Sequence, residues 1–164
     1  LSRQTPARLW RLPVCYEEAF APDLKDVVSK ANLTPDEVIA LHTSRILEVA
    51  IMGFLPGLGY LTGVDDALHL PRRSVPRTFV PQGSVGLAMD QTVIYPLNSP
   101  GGWNLIGRMP IPLFDQKREN PILFSAGDQV SFYAVNADKY EELAASCVDG
   151  NLPICPEQAD EAAL

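Results

Sequence analysis

Cysteine and histidine are scarce in this sequence, and no apolar run is long. Each shortage removes a class of function. The three cysteines, Cys15, Cys147 and Cys155, form no Cys-x-x-Cys pair, and only His42 and His69 could join them as ligands. Their spacing matches no zinc pattern, so no metal site is expected. A Cys147–Cys155 bridge would leave Cys15 over, and disulfides are unusual inside cells. No apolar stretch approaches the roughly 20 residues that span a bilayer, which excludes a membrane helix. Residues 1–16 hold no apolar signal core, so the expected location is the cytoplasm. The common phosphate and nucleophile motifs are also missing. There is no Walker-type loop, and Gly57-Leu58-Gly59 lacks the third glycine of a dinucleotide fingerprint. In Gln82-Gly83-Ser84-Val85-Gly86 the serine sits one place too early for a nucleophile elbow. A self-contained enzyme of a common motif class is therefore not expected.

What is present suits one globular domain: 164 residues, 46% hydrophobic and 20% charged. The net charge of −7 is unevenly spread. Between Arg72 and Arg118 six basic residues face two acidic ones, so this segment is +4 and the remainder is −11. A mildly basic middle suits a small anion such as a carboxylate or phosphate. It is too weak for nucleic acid, which calls for a strongly basic domain. The 15 prolines are nearly double the usual share of roughly 5%. Most fall between Pro56 and Pro121, which predicts strands joined by rigid turns.

Two short helices are predicted first. Leu24, Val27, Val28 and Ala31 recur at one-sided helical spacing. Thr34-Pro35-Asp36-Glu37 supplies an N-cap, a proline at the first helical position and a capping glutamate for a helix ending near Thr43. Arg45 to Gly53 reads as a buried strand, and Gly53 to Tyr60 as irregular chain. Strands are predicted over 84–89, 92–95, 103–109 and 129–135, with Val130, Phe132 and Ala134 inward on the last. In the first of these Ser84, Gly86 and Ala88 leave one face bare. A last helix runs from Asp138 to about Ser146, followed from Gly150 by a loosely held acidic tail. Many short strands with proline and glycine turns suggest a closed or nearly closed β-barrel with helical additions.

The residues able to carry chemistry are few. Arg72, Arg73 and Arg77 could clamp a carboxylate or phosphate, or serve as ordinary surface or structural ion-pair partners. Backbone amides at Gly101-Gly102 could form an anion-binding turn. His42 shares a helix face with Val38 and Leu41, and reads either as a core histidine or as a base in a cleft. Trp103 reads as core and His69 as structural.

An ordered series of motifs runs through the chain: Gly53-Phe54-Leu55-Pro56-Gly57-Leu58-Gly59-Tyr60-Leu61, Pro71-Arg72 to Pro76-Arg77, and Val80-Pro81-Gln82-Gly83-Ser84-Val85-Gly86. Gln91-Thr92-Val93-Ile94-Tyr95-Pro96, Ser99-Pro100-Gly101-Gly102-Trp103, Ile106-Gly107-Arg108 and Gly127-Asp128-Gln129-Val130-Ser131-Phe132 complete it, with Pro13-Val14-Cys15-Tyr16, Asp23-Leu24 and Leu41-His42 upstream. The series closely resembles the KipI family, also called allophanate hydrolase subunit 1 or the B-type 5-oxoprolinase subunits, over about residues 12–135. This chain departs from the family at Leu58, where phenylalanine is usual, at Met89 and Val93, where glycine is usual, and at Met109, where threonine is usual.

The resemblance implies a mainly β fold with some α, a cyclophilin-like closed β-barrel with short helices packed at its ends. It implies a cyclophilin-like domain over residues 1–136, a helical and acidic tail over 137–164, and a family amino-terminal domain that is absent here. It further implies one component of an ATP-dependent 5-oxoprolinase, inactive alone, that opens a lactam to glutamate. The partner would be a larger, C-type protein of the same enzyme (allophanate hydrolase subunit 2). A third hydrolase component would join them, and ATP with Mg would be bound in that complex. On this view His42, Arg77 and Gln91 are the catalytic candidates. Arg72, Arg73, Arg108, Gly101 and Gly102 would bind substrate or phosphate, and Phe54, Leu55, Leu58 and Tyr60 would face the partner. Two other roles stay open: a carboxyltransferase half-domain as in urea carboxylase, and the non-enzymatic inhibition of a sporulation histidine kinase known in some members.

Overall fold

The computed structural model describes residues 7–159. Among the described residues the first element is not a helix but strand β1 (Arg8–Cys15). Its apolar residues follow no alternation because β1 is buried on both faces from Leu12 to Cys15, as strands in parallel pairing commonly are. Helices α1 (Leu24–Ala31) and α2 (Pro35–Thr43) follow. The Thr34 hydroxyl accepts from the Glu37 amide at 3.1 Å and the Glu37 carboxylate accepts from the Thr34 amide at 3.2 Å, completing the predicted capping box. Strands β2 (Leu47–Met52), β3 (Gly59–Thr62), β4 (Arg77–Val80), β5 (Ser84–Ala88), β6 (Gln91–Ile94), β7 (Ser99–Gly101), β8 (Asn104–Arg108) and β9 (Gln129–Val135) come next, then α3 (Ala137–Ser146) and β10 (Glu157–Gln158).

Seven strands close a barrel in the order β1-β8-β5-β6-β3-β2-β9, and β9 returns to β1. The β1–β9 seam is parallel, from Leu9 opposite Gln129 to Cys15 opposite Val135, and the other pairings are antiparallel. The closed barrel with short helices implied by the resemblance is thus the fold of this chain. Closure leaves no barrel edge to aggregate. The main core fills the interior and reaches under α1 and α2 through Val27 and Val38. β4 and β7 form a separate two-stranded ribbon laid over the outside of the barrel.

Four expectations need correction. β2 is buried on one face only, because Glu48, Ala50 and Ile51 are exposed. Ala134 on β9 is exposed rather than inward. β5 has no bare face: all five residues are buried, and a methyl group on Gly86 would meet Trp103 Cβ at 2.8 Å. The small residues of β5 are there to admit large ones from neighbouring strands. The tail is also held over 150–159, since Leu152 and Ile154 pack on the core and Glu157–Gln158 pairs with β1. The rest of the acidic tail, 160–164, lies outside the described residues, as does the start of the segment read for a signal core. Among the described residues all three cysteines are free, no helix is long and apolar enough to cross a membrane, and no three His, Cys, Asp or Glu side chains converge to hold a metal ion.

Candidate functional site

Side-chain alternation gives the barrel wall a second apolar face. Tyr60, Val93, Gly86 and Leu105 stand opposite one another across β3, β6, β5 and β8. Thr92 and Ile94, one residue to either side of Val93, point the other way. On this outer face Leu58, Val80, Ala88, Val93, Tyr95, Trp103 and Leu105 form a cluster separate from the main core, with Leu55 and Tyr60 at its margin. The β4–β7 ribbon covers one side through Val80. The other side is open and forms a cleft of about 450 Å3, within the range of roughly 300–1,000 Å3 typical of small-molecule sites.

The motifs singled out in the sequence converge on this cleft. Leu55, Leu58 and Tyr60 come from one motif, Arg72 from the next, and Ser99 to Trp103 from a third. The Arg72 guanidinium lies over the Trp103 ring, 5.8 Å from its centroid. Tyr60 packs against the same indole with ring centroids 6.1 Å apart. The Trp103 amide donates to the Tyr95 hydroxyl, and Arg72 and Arg77 lie close enough to favour its phenolate; burial outweighs both and holds the Tyr95 pKa above its ordinary value. Gly101 has to be glycine here, because a methyl group would lie 2.8 Å from the Tyr95 ring carbon Cζ. The Ser99 hydroxyl oxygen is buried and has no hydrogen-bond partner among the described residues.

The other arginines are placed differently. Asp23, 1% exposed, stands at the head of α1 beneath the ribbon. Its carboxylate accepts from Arg77 at 2.5 and 2.6 Å, from Arg73, and from the Leu105 amide at 2.7 Å. The Asp23 bond is the leading reason the Arg77 pKa is raised. Arg73 and Arg77, expected to bind phosphate and to act in catalysis, are thus committed to a buried carboxylate that ties the ribbon to α1 and β8. Arg108 lies at the far end of β8 from Trp103. Its guanidinium rests over Phe20, 5.5 Å from the ring centroid, and hydrogen-bonds Tyr140. Gln91 heads β6, half-buried on the outer face, without lining the cleft. Phe54 projects fully into solvent from the β2–β3 loop.

His42 is sealed inside. Its Nδ1 is 2.6 Å from the Tyr16 hydroxyl, its Nε2 is 3.2 Å from Thr92 Oγ1, and its ring stacks on Phe132 at 4.6 Å. Thr92 Oγ1 donates its own proton to the Gly86 carbonyl at 2.8 Å. It must therefore accept from His42 Nε2–H, which leaves Nδ1 to accept from Tyr16. Burial pushes the His42 pKa down to about 3, and the Tyr16 pKa well above its ordinary value. A neutral ring with both nitrogens satisfied and no route to the cleft is a core histidine. His69 is structural too, with Nε2 2.9 Å from the Val64 carbonyl.

A larger groove of about 630 Å3 runs between α1 and α2 past Ala21, Leu24, Val28 and Ile39. Its two charged residues, Glu18 and Lys25, pair with each other at 2.6 Å, so no polar group is left aimed at a ligand. The outer-face cleft is the better candidate. Sequence reasoning missed four of its features. Tyr95 and Ser99 sat inside quoted motifs without a role, Trp103 was read as core, and Asp23 was quoted only as part of the Asp23-Leu24 motif. The available signal for Asp23 was the cluster of arginines at 72, 73 and 77, two of which pair with it.

The family model described as "Carboxyltransferase domain, subdomain C and D" matches residues 1–124. The B-type subunit of the Bacillus subtilis 5-oxoprolinase is 43% identical over 133 residues, which is 81% of this chain and 55% of that protein. A "Putative urea carboxylase" of Emericella nidulans is 30% identical and covers 88% of this chain but only 14% of its own length. Among solved structures, a conserved uncharacterized protein from Pyrococcus horikoshii superposes with a TM-score of 0.77 at 39% identity, covering 80% of this chain and 61% of that one. The chain spans about half the length of the B. subtilis relative. With the match extending over most of its length, the chain belongs to the carboxyltransferase subdomain C and D family.

Proposed function

We propose that this chain is one part of a cytoplasmic, ATP-dependent 5-oxoprolinase and works with a larger C-type partner, with a third hydrolase component completing the reaction. The observation that carries this is the 43% identity to a B-type 5-oxoprolinase component over 81% of the chain, against 30% to a urea carboxylase. The chemistry of the cleft supports it. Aromatic walls, a guanidinium and hydroxyl groups suit recognition of a small polar ring, whereas no nucleophile–base pair lines the cleft and His42 is sealed away. The cleft is half of a site, and the partner supplies the reacting groups. In that reading ATP, when bound, would supply the phosphoryl group that activates the lactam carbonyl. The described residues do not fit this nucleotide: Arg73 and Arg77 are spent on Asp23, and no acidic or histidine cluster could hold Mg. ATP and Mg are therefore assigned to the partner. Phe54 on the exposed β2–β3 loop, with Leu55 and Tyr60 on the cleft margin, is the proposed contact with it, while Leu58 is buried in the cluster behind them.

The test is ADP release by this chain mixed with its C-type partner, with and without 5-oxoproline. Turnover that needs both proteins and the lactam is expected. The urea carboxylase relative favours a second reading, a carboxyltransferase half-domain. ADP release indifferent to 5-oxoproline, together with carboxyl transfer from carboxybiotin to urea, would replace the first reading with the second. A stable complex with a histidine kinase that lowers its autophosphorylation, without lactam-dependent turnover, would point instead to the inhibitory role.

A further inference from the structure

We propose that the outer-face cleft is a carboxylate-recognition site in which Arg72 anchors the ligand's carboxylate and Ser99 bonds its amide. The inference deepens the 5-oxoprolinase reading and rests on it for the identity of the ligand. It begins with where positive charge is left free. Arg73 and Arg77 are neutralised by Asp23, and Arg108 is held between Phe20 and Tyr140. Among the described residues Arg72 has neither a carboxylate nor a hydrogen-bond acceptor, only the Trp103 face beneath it. Stacking uses the flat face of a guanidinium and leaves its N–H edge for a bidentate bond to a carboxylate. No acidic side chain lines the cleft, so the local field favours an anion.

An independent observation is the Ser99 hydroxyl, buried without a partner on the cleft wall. Buried polar groups are almost always satisfied, so an orphan beside a cavity marks a place where a ligand completes the bond. The walls between Arg72 and Ser99 are Trp103, Tyr60 and Tyr95, which suits a flat ring. A ring carrying a carboxylate at one end and an amide at the other, the layout of a carboxylated lactam, meets every one of these features. A neutral lactam leaves Arg72 unanswered.

The cleft holds its own reporter. Trp103 lines it, and Trp10, the second of two tryptophans, is buried against Asp128 with its indole N–H bonded at 3.1 Å. We expect 5-oxoproline to change the Trp103 fluorescence saturably, in the chain alone or in complex with its partner, and 2-pyrrolidinone, which lacks the carboxylate, to bind at least about 10-fold more weakly. Arg72→Ala should weaken 5-oxoproline binding about 10- to 100-fold, the value of a charge-assisted hydrogen bond, and Arg72→Lys should restore part of it. Ser99→Ala should weaken both ligands alike. Equal binding of lactam and carboxylated lactam, or an Arg72→Ala variant that binds normally, overturns the proposal. The two readings fail separately. Lactam-dependent ADP release that survives Arg72→Ala sinks this site and spares the function. Arg72-dependent binding of carboxylates with no lactam-dependent ADP release sinks the function and spares the site.

Discussion

Asp23→Ala is the substitution that most directly tests how the cleft is built. The Asp23 side chain is 2% exposed, while Arg73 and Arg77 keep 26% and 23% of theirs. Removing one partner of a buried pair typically costs about 3–5 kcal/mol. The arginines reach water, so the lower end applies, and solvent recovers part of the loss. The Leu105 amide cannot reach water. Its acceptor at 2.7 Å is lost, and an unsatisfied buried amide costs about 1–3 kcal/mol. The two penalties overlap because one carboxylate serves both, and a net loss of about 3 kcal/mol is expected. For a chain of this size that lowers Tm by roughly 6–12 °C. Asp23→Asn keeps an acceptor for Leu105 and discards the charge, so it should lose about half as much. Urea unfolding followed by tryptophan fluorescence gives both values, and a cycle with Arg77→Ala isolates the pair. Hydrogen exchange should show faster opening of β4 and β7 than of β1 and β9. If Asp23→Ala and Asp23→Asn cost the same, or the first costs under about 1 kcal/mol, the carboxylate does not hold the ribbon.

His42 and Gly101 offer two further tests. The folded-state His42 pKa of about 3 lies below its ordinary 6.5, so the unfolded chain takes up the extra proton between those values. Its stabilising contribution is complete above about pH 6.5 and is lost as pH falls towards 3, at about 1.4 kcal/mol per pH unit. Urea titrations at pH 7 and pH 5 should show this slope in the native chain and lose it in His42→Gln; an unchanged slope would mean the ring titrates normally. Gly101→Ala drives a methyl group into the Tyr95 ring, and overpacking of this kind costs about 1–3 kcal/mol. It should displace Tyr95 and weaken ligand binding in the cleft, whereas Gly102→Ala, with nothing nearer than Pro76 at 3.8 Å, should be nearly silent in stability.

What could be read from the sequence was local. The Thr34 capping box, the α1 stripe and the alternation of Val130 and Phe132 depend on neighbours a few residues away. β1 could not be read this way, because its partner β9 lies more than a hundred residues along the chain and burial on both faces erases the period. The cleft was half legible. The resemblance implied a partner face at Leu55, Leu58 and Tyr60 and a binding role for Arg72, Gly101 and Gly102, and these two groups line one cleft. The fates of Arg73, Arg77 and Arg108 turn on single long-range partners at Asp23, Phe20 and Tyr140 that no spacing announces. His42 shows the limit most plainly. Its helix face was read correctly as inward, yet only the closed barrel shows that the interior at that point is Tyr16, Thr92 and Phe132 rather than solvent.

One departure from the family pattern acquires a physical meaning in the structure. Ala88 and Gln91 pair across a two-residue hairpin loop, Met89-Asp90, in which only Met89 has positive φ, at 54°. Positive φ at the first loop position alone is the pattern of a type II′ turn, which favours glycine there, the residue usual in the family. For an L-residue this conformation costs about 1–2 kcal/mol, and Met89 gains little in return because its side chain is 47% exposed. Met89→Gly relieves the strain but loosens the unfolded chain, which gives back about 0.5–1 kcal/mol. The balance predicts a net stabilisation of about 0.5–1 kcal/mol, read as a higher urea midpoint with unchanged slope. Met89→Ala should give no such gain, because it keeps the Cβ that causes the strain. If glycine destabilises instead, the Met89 side chain contributes more than its exposure implies. Glycine keeps the amide that donates to the Leu70 carbonyl at 2.5 Å, two residues before Arg72, so the bridge should survive Met89→Gly and carboxylate binding in the cleft should be unchanged.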